Sequence, residues 1–305
     1  MKLKGNLILL LVAMIWGVAF VAQRAGMEYI GPFTYTGVRF ALGCFSLLPL
    51  LYYFRDSKEE KDKQDSKTSA WKVGLFTGLI MCIAVSLQQI GLIYTTAGKA
   101  AFVTCLYIIF VPLVGFLLKQ HISGSTWFGA FLSIIGLYFL CVKEGFYMEY
   151  GDLLVVGSAF FWTVHILVID RYAKAINSIQ LAFFQFFFCA LFSGIVAIVT
   201  ETISLASIID CAVPIAYGGL MSVGVTYTLQ IVGQKYAEPA HAAVIMSMET
   251  VFGALAGYFL LGEILGVREL TGCTLMMIGM LVTQMGGFKQ LKEKIKRYQN
   301  SSATE

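Results

Sequence analysis

Apolar residues dominate ten long runs of this chain, and most charged residues lie in the stretches between them. The hydrocarbon core of a bilayer is about 30 Å thick and takes about 20 apolar residues of α-helix, roughly the length of each run. The pattern therefore predicts an all-α integral membrane protein of ten transmembrane helices. The runs cover residues 5–23, 32–54, 71–94, 99–118, 125–142, 151–170, 178–200, 212–234, 239–261 and 267–287.

Composition supports the same conclusion and excludes a soluble domain. Of 305 residues, 58% are hydrophobic and 13% are charged, with a mean hydropathy of +0.77, whereas soluble domains carry about 25% charged residues. The N-terminal run has a basic start but lacks a clear cleavage site before the next polar turn, so we expect it to be retained as the first span rather than removed as a signal peptide.

The positions of the basic residues predict the orientation. With the N-terminus inside, 17 of the 22 Lys and Arg residues fall on the cytoplasmic side, as the positive-inside rule requires. We therefore expect a multi-pass protein of the cell membrane with both termini in the cytoplasm. The mildly basic net charge of +4 follows from this topology, and no nucleic-acid partner is expected.

Motifs for other functions are missing from the sequence. The seven cysteines are scattered with no CxxC spacing, so neither a metal nor a disulfide framework is expected, and no cofactor is implied. No GxxxxGK[ST] loop is present to hold ATP. The three histidines lie far apart without partner motifs, which argues against an intramembrane enzyme.

The chain also resembles itself. At a shift of 142 residues, the segment 86–102 aligns with 228–244, and at a shift of 146 the chain restarts near Gly151 with Trp16 aligned on Trp162. We predict one five-helix repeat in residues 1–145, a second in 151–287 and a basic tail in 288–305. Five crossings invert the second half, and two inverted repeats are typical of alternating-access carriers.

Several short motifs follow one another in a specific order along the two five-helix halves. They are Trp16-Gly17, Pro32, Arg39, Tyr94, Ala97, Ala100-Ala101, Pro112, Ala240-His241-Ala242-Ala243 and Leu261-Gly262-Glu263. With them the chain resembles the EamA branch of the drug/metabolite transporter superfamily from Gly5 to about Gly286. The resemblance implies an exporter of amino acids or related metabolites, with helices five and ten at the periphery. The first half departs from it, with Lys119-Gln120-His121 in place of Leu261-Gly262-Glu263.

Glu249 is the first candidate for the site, since ionisable groups inside spans are costly and mark functional positions. It lies ten residues after Pro239 and twelve before Leu261, hence roughly 15 Å from either surface. Its mate in the repeat is Tyr107. Two interpretations stay open: a carboxylate that binds a proton or an amine, or a protonated glutamate bonded to a neighbouring helix.

Arg39 is the second candidate and lies about 10 Å below the outer surface, at 1.5 Å per residue from Pro32. Its mate in the repeat is Gln185. The guanidinium is suited either to a substrate carboxylate or to a structural tether between helices, and snorkelling to the surface is equally compatible with its length.

Symmetry selects two further pairs. Trp16 and Trp162 lie too deep for the interfacial aromatic belt and are candidates for the cavity wall, with ordinary packing as the alternative. Gln88 and Gln230 each need a partner, either another helix or the substrate.

The remaining candidates concern proton transfer and gating. His165 is a candidate proton relay, with bonding to a neighbouring helix as the alternative. Lys99 and His241 are repeat mates at the starts of spans four and nine and are candidates for a gate or for interfacial anchors. Pro112 is expected to bend span four.

Together these residues predict a secondary transporter for a small polar metabolite, with an amino acid favoured because Arg39 and Glu249 suit the two ends of a zwitterion. The alternative is proton-coupled efflux of cationic drugs, which needs only the carboxylate. Expected partners are the substrate, the lipid bilayer and protons. A monomer is sufficient, and the glycine patterns permit a homodimer.

Overall fold

The computed structural model describes residues 2–54, 69–95, 97–120, 122–141, 149–261, 266–268 and 270–283. Within these ranges the chain is helical and contains no strand. The helices are α1 (Lys2–Gly26), α2 (Pro32–Ser46), α3 (Leu48–Phe54), α4 (Ala70–Tyr94), α5 (Ala97–Thr104), α6 (Tyr107–Leu117), α7 (Gly124–Cys141), α8 (Tyr150–Tyr172), α9 (Ser178–Thr200), α10 (Leu205–Asp210), α11 (Ala212–Ala216), α12 (Thr228–Gln234), α13 (Pro239–Met246), α14 (Glu249–Leu261) and α15 (Leu270–Thr283), with a π-helix at Tyr217–Tyr227 between α11 and α12.

Eight helical segments are long and apolar enough to cross a membrane, and they correspond to eight of the ten apolar runs. The fifth and tenth runs form the shorter apolar helices Gly124–Phe139 and Leu270–Thr283. The prediction of an all-helical, multi-pass membrane protein is confirmed. The count of ten crossings and the inverted order of the halves stay predictions. The loop 55–67 and the tail 288–305 lie outside the described residues.

Two segments are broken near their middle. Between α5 and α6 the helix is interrupted at Cys105 and Leu106, and between α13 and α14 at Ser247 and Met248. Side-chain hydroxyls bind carbonyls that the second break frees, since Ser247 Oγ donates to the Val244 carbonyl at 2.8 Å. The breaks touch each other, because the Cys105 sulfur lies 3.9 Å from the Ser247 carbonyl oxygen. Broken backbone is tolerated at membrane depth only where protein or a cavity surrounds it.

A second irregularity is the π-helix Tyr217–Tyr227, which continues without a gap into α12. π-Helical turns leave backbone groups out of α-helical register and are frequent at functional sites. Here the carbonyl of Ser222 accepts a hydrogen bond from Trp16 Nε1 at 3.2 Å, so α1 is attached to the π-helix.

The helices cross closely where glycine removes the side chain. A Cβ added at Gly17 of α1 would lie 2.6 Å from the Glu249 carbonyl oxygen and 2.7 Å from the backbone nitrogen of Gly253 in α14. On α4, a Cβ at Gly74 would lie 2.3 Å from Cβ of Phe184 in α9. The contact at Gly17 sets the position of α14, and hence of Glu249, against α1, and the contact at Gly74 sets α4 against α9.

Helix ends are held by polar side chains. The carboxylate of Glu201, after the end of α9, accepts hydrogen bonds from the backbone nitrogens of Phe33 and Thr34 at 2.8 and 2.7 Å. It binds the N-terminus of α2, where unpaired N–H groups and the helix dipole favour a negative charge. This contact fixes the start of the helix that carries Arg39.

Candidate functional site

A cavity lies among the helices, with about 480 Å³ of empty space when the part open to the surroundings is included. Its lining comes from α1, α2, α4, α5, α6, α8, the π-helix, α12, α13 and α14, so both halves of the chain contribute. The lining residues are Trp16, Phe20, Gln23, Arg39, Gln88, Thr104, Tyr107, Trp162, Ile166, Ser222, Tyr227, Gln230, Met246 and Glu249. Seven of the nine predicted cavity residues are among them.

Glu249 lies at the first position of α14, directly after the break, and is 4% exposed. Tyr107, at the first position of α6 after the other break, donates its hydroxyl hydrogen bond to Glu249 Oε1 at 3.0 Å. The Cys105 thiol donates to the same oxygen at 3.4 Å. No residue that the structure describes bonds to Oε2. One carboxylate oxygen is therefore held by the protein, and the other is left for a ligand or a proton.

Arg39 is buried at 2% exposure and also lines the cavity. Its guanidinium lies 5.1 Å from the ring centre of Tyr35 and 5.3 Å from that of Phe40, and Nε is buried without a hydrogen-bond partner. Arg39 forms no ion pair with Glu249 or with any other described residue. Most of the N–H donors of this buried guanidinium therefore have no acceptor among the residues that the structure describes. They are available to bind an anionic group.

Aromatic rings form one wall of the cavity. Tyr227 lies between the two symmetry-related tryptophans, with ring centres 4.8 Å from Trp16 and 5.8 Å from Trp162, and its ring is stacked on Trp162 at an interplanar angle of 18°. Phe186 and Phe40 support Tyr227 from behind at 6.1 and 6.0 Å. The wall can hold apolar or planar groups and attracts cations through the ring faces.

The two predicted glutamines differ in their contacts. Gln88 donates its Nε2 hydrogen bond to Thr104 Oγ1 at 2.9 Å, so it ties α4 to α5. The side chain of Gln230 makes no hydrogen bond to any described residue, and its buried Oε1 has no partner. Gln88 therefore bonds to another helix, which was one of the two alternatives for this pair. For Gln230 the other alternative, contact with the substrate, stays open.

Gln185 and His165 lie outside the cavity lining. They bond to each other, with His165 Nε2 and Gln185 Oε1 3.2 Å apart, and both are fully buried. The ring of His165 lies behind the aromatic wall, 5.7 Å from Trp162. His165 on α8 thus bonds to the neighbouring helix α9, which was the alternative to a role as a proton relay.

The predicted gate residues are scattered. Pro112 lies inside α6, beyond the break at Cys105 and Leu106, so the interruption of the fourth run is not at the proline. His241 is half-buried in the first turn of α13. Lys99 belongs to α5, and its side chain lies outside the described residues, as do Gly262 and Glu263. His241 and Pro112 are not part of the cavity lining.

Several lining residues were missed by the sequence analysis. Tyr227 is one of 15 tyrosines and aligns with Val85 at the shift of 142, so symmetry gave no signal. Gln23 lies close to the end of the first run and has a buried Oε1 without a partner. Thr104 and Ser222 are short polar residues that are ordinary inside spans. No group of three or more metal-ligating side chains is found in the part of the chain that was searched.

Comparisons with known proteins place these features among transporters. Residues 3–142 and 149–285 match the model of the EamA-like transporter family. An uncharacterized transporter of Archaeoglobus fulgidus is 30% identical over 93% of this chain and 87% of its own length. Another, from Clostridium kluyveri, is 23% identical over 99% of both chains, and the uncharacterized transporter YoaV of Bacillus subtilis is 22% identical over 89% of this chain and 93% of its own.

The fold is also found in a solved structure. A protein of known crystal structure superposes with a TM-score of 0.75 at 18% identity, over 92% of this chain and 96% of that chain. At this identity the likeness concerns the fold alone.

Proposed function

Because this chain belongs to the EamA-like transporter family, we propose that it is a secondary transporter that exports a small zwitterionic metabolite, an amino acid or a derivative of one. It acts in the cell membrane with both termini in the cytoplasm. Ten transmembrane helices form two inverted five-helix repeats, residues 1–145 and 151–287, around the cavity. The family and the names of the relatives support a transporter, and the substrate class is argued from the cavity.

The observation that carries the proposal is the presence of two opposite, unpaired charges in one cavity. Arg39 and Glu249 both line it, both are buried, and they form no ion pair with each other. Isolated buried charges are unfavourable unless they are compensated. A zwitterion supplies a carboxylate for Arg39 and an ammonium for Glu249, so one ligand compensates both.

The broken helices support alternating access. The starts of α6 and α14 meet at the cavity through the hydrogen bond from Tyr107 to Glu249. Discontinuous helices at the interface of two inverted repeats typically form the substrate site of secondary transporters, and rocking of one repeat against the other exposes the site to each side in turn.

Glu249 is also the residue proposed for coupling to protons. An ionised carboxylate in the membrane interior needs a neutralising partner, and either a proton or the ammonium group of the substrate supplies one. If the two compete for Glu249, a proton that binds from outside releases the substrate. Loss of that proton to the cytoplasm then prepares the site for the next substrate.

Efflux of cationic drugs is the second candidate, favoured by the aromatic wall of Trp16, Tyr227 and Trp162 beside a carboxylate. Such a wall suits organic cations. Arg39 distinguishes the two functions, because its positive charge repels a cationic drug but binds the carboxylate of a zwitterion.

The test is transport of labelled amino acids and of an organic cation in proteoliposomes, with and without an imposed pH gradient. We expect Arg39→Gln to abolish amino-acid transport, because the substrate carboxylate loses its partner. Glu249→Gln should lose the gradient-driven component. Lys72→Gln and Glu28→Gln, at exposed positions, are the matched controls and should transport normally.

The outcomes separate the candidates. Transport of the cation alone, retained in Arg39→Gln, would favour drug efflux over the proposed function. If Arg39→Gln loses folding and all transport together, Arg39 is a structural tether between helices. If transport in Glu249→Gln is unchanged, Glu249 has no role in coupling to protons.

A further inference from the structure

Gln88 and Gln230 occupy equivalent positions in the two repeats but differ in one neighbour. Sixteen residues after Gln88 lies Thr104, whose hydroxyl accepts the hydrogen bond from the Gln88 amide at 2.9 Å. Sixteen residues after Gln230 lies Met246, and its thioether is only a weak acceptor. Both Gln230 and Met246 line the cavity. The second repeat therefore lacks the group that holds the equivalent glutamine in the first.

Gln230 is left with its hydrogen-bonding capacity unused. Its side chain is 1% exposed, it bonds to no described residue, and Oε1 is buried without a partner. Burial of a carboxamide without hydrogen bonds is unfavourable, and most buried polar groups in proteins have a partner. The position of Gln230 on the cavity wall makes the bound ligand the available partner.

The location of Gln230 indicates which part of a ligand it meets. It follows Tyr227 by three residues, so the two side chains lie on the same face of the helix. Tyr227 is stacked on Trp162 in the aromatic wall. A ligand whose charged groups meet Arg39 and Glu249 and whose side chain lies along this wall reaches Gln230 with the end of that side chain.

We propose that Gln230 determines specificity by hydrogen bonding to a polar group at the end of the substrate side chain, such as a hydroxyl or an amide. This inference rests on the proposed function, a carrier of zwitterions. The transporter then prefers such substrates to apolar ones of the same shape. A site built to hydrogen-bond a substrate group discriminates against the analogue that lacks it, because the protein group is left unpaired.

The test compares pairs of amino acids that differ mainly at the end of the side chain: tyrosine with phenylalanine, and glutamine with methionine. Each is measured as a competitor of a labelled substrate in proteoliposomes. We expect wild type to prefer the hydrogen-bonding member of at least one pair by about tenfold, the effect of one neutral hydrogen bond. In Gln230→Leu, which keeps the shape, the preference should fall to about one while the apolar member is still transported.

Two variants provide controls from the symmetry of the chain. Gln88→Leu removes the partner of Thr104 and should lower the melting temperature. Gln230→Leu removes an unpaired group and should leave the melting temperature unchanged or raise it. Met246→Thr introduces the hydroxyl that the first repeat has, engages Gln230 as Thr104 engages Gln88, and should reduce the preference without any change to Gln230 itself.

The outcomes distinguish this inference from the proposed function. Transport of amino acids with no preference in either pair, or with a preference that survives in both Gln230→Leu and Met246→Thr, would overturn the role of Gln230 alone. Failure of wild type to transport any zwitterion would overturn the proposed function, and the role of Gln230 with it.

Discussion

Glu249 is held by two protein donors and also lines the cavity. Its Oε1 accepts from Tyr107 and Cys105, at 3.0 and 3.4 Å, while the residue faces the cavity. The two donors fix the orientation of the carboxylate without neutralising its charge. A ligand or a proton that arrives in the cavity therefore meets a preoriented group, which reduces the ordering cost of binding.

The first prediction concerns Tyr107→Phe, which removes the hydroxyl and keeps the ring. Hydrogen bonds to charged groups contribute about 1.5–3 kcal/mol, so a carboxylate that loses this donor should bind substrate or proton with altered strength. We expect gradient-driven transport to fall about tenfold while the protein still folds. The measurement is the initial rate in proteoliposomes, together with the melting temperature.

Tyr52→Phe is the control, because Tyr52 is 83% exposed and does not line the cavity. A Tyr107→Phe protein that transports at the wild-type rate would show that the ring packs against Glu249 but that its hydroxyl has no part in transport.

At the scale of helices, the site depends on where α14 lies. The segment is broken just before Glu249, so the carboxylate is placed by the start of a half-helix rather than by the face of a continuous one. The contact of Gly17 with the backbone of Glu249 and Gly253 then holds α14 against α1. Trp16, the neighbour of Gly17, lines the same cavity, so one crossing positions both residues.

The second prediction follows from this crossing. In Gly17→Ala the new Cβ would lie 2.6 Å from the Glu249 carbonyl oxygen, too close without a shift of one helix. Overpacking of this kind costs about 1–3 kcal/mol. We expect a lower melting temperature in detergent and a marked loss of transport, because α14 carries Glu249 with it.

Gly194→Ala is the matched control, since a Cβ at Gly194 meets nothing within 4 Å. It should be neutral or slightly stabilising, because alanine favours helix by about 1 kcal/mol relative to glycine. Equal behaviour of the two alanine variants would contradict a tight crossing at Gly17.

At the scale of the whole molecule, the cavity draws its lining from both halves of the chain, while α7, α9 and α15 contribute none of the lining residues. Arg39 comes from the first half and Glu249 from the second. The proposed zwitterion thus bridges the halves and responds to any motion of one against the other. That a monomer is sufficient stays a prediction.

The third prediction is the orientation of the chain. The excess of Lys and Arg in the loops and tail assigned to the cytoplasm predicts that both termini face inside. Alkaline phosphatase fused after residue 28 should be active outside the cytoplasm, and the same enzyme fused after residue 305 should be inactive. A green fluorescent protein fused after residue 305 should fluoresce.

Phosphatase that is inactive after residue 28 and active after residue 305 would show the reverse orientation, with both termini outside. The same transport cycle would then import the substrate instead of exporting it. Equal phosphatase activity at both points would instead indicate an even number of crossings between them and contradict the ten-span topology, which has nine.

Much of the cavity was predicted from the sequence. Trp16 with Trp162 and Gln88 with Gln230 were chosen by repeat symmetry, and Arg39 and Glu249 by charge inside apolar runs. All six line the cavity. Gln185 and His165 satisfied the same criteria but bond to each other at 3.2 Å away from the lining, because a polar side chain inside a span can equally find its partner on a neighbouring helix. Tyr227 showed no signal, since aromatic residues also pack against lipid.

By itself the sequence determined the all-helical class, the approximate positions of the helices and the family, because a bilayer requires long apolar runs that can be recognised along the chain. The tertiary structure decided which side of each helix faces the cavity. Lipid is as apolar as a protein interior, so the hydrophobic pattern does not distinguish the two. The structure also decided where helices break: Cys105-Leu106 and Ser247-Met248 contain neither proline nor glycine, and the breaks are stabilised by the contact between Cys105 and Ser247 and by the hydrogen bond from Ser247 Oγ to the Val244 carbonyl.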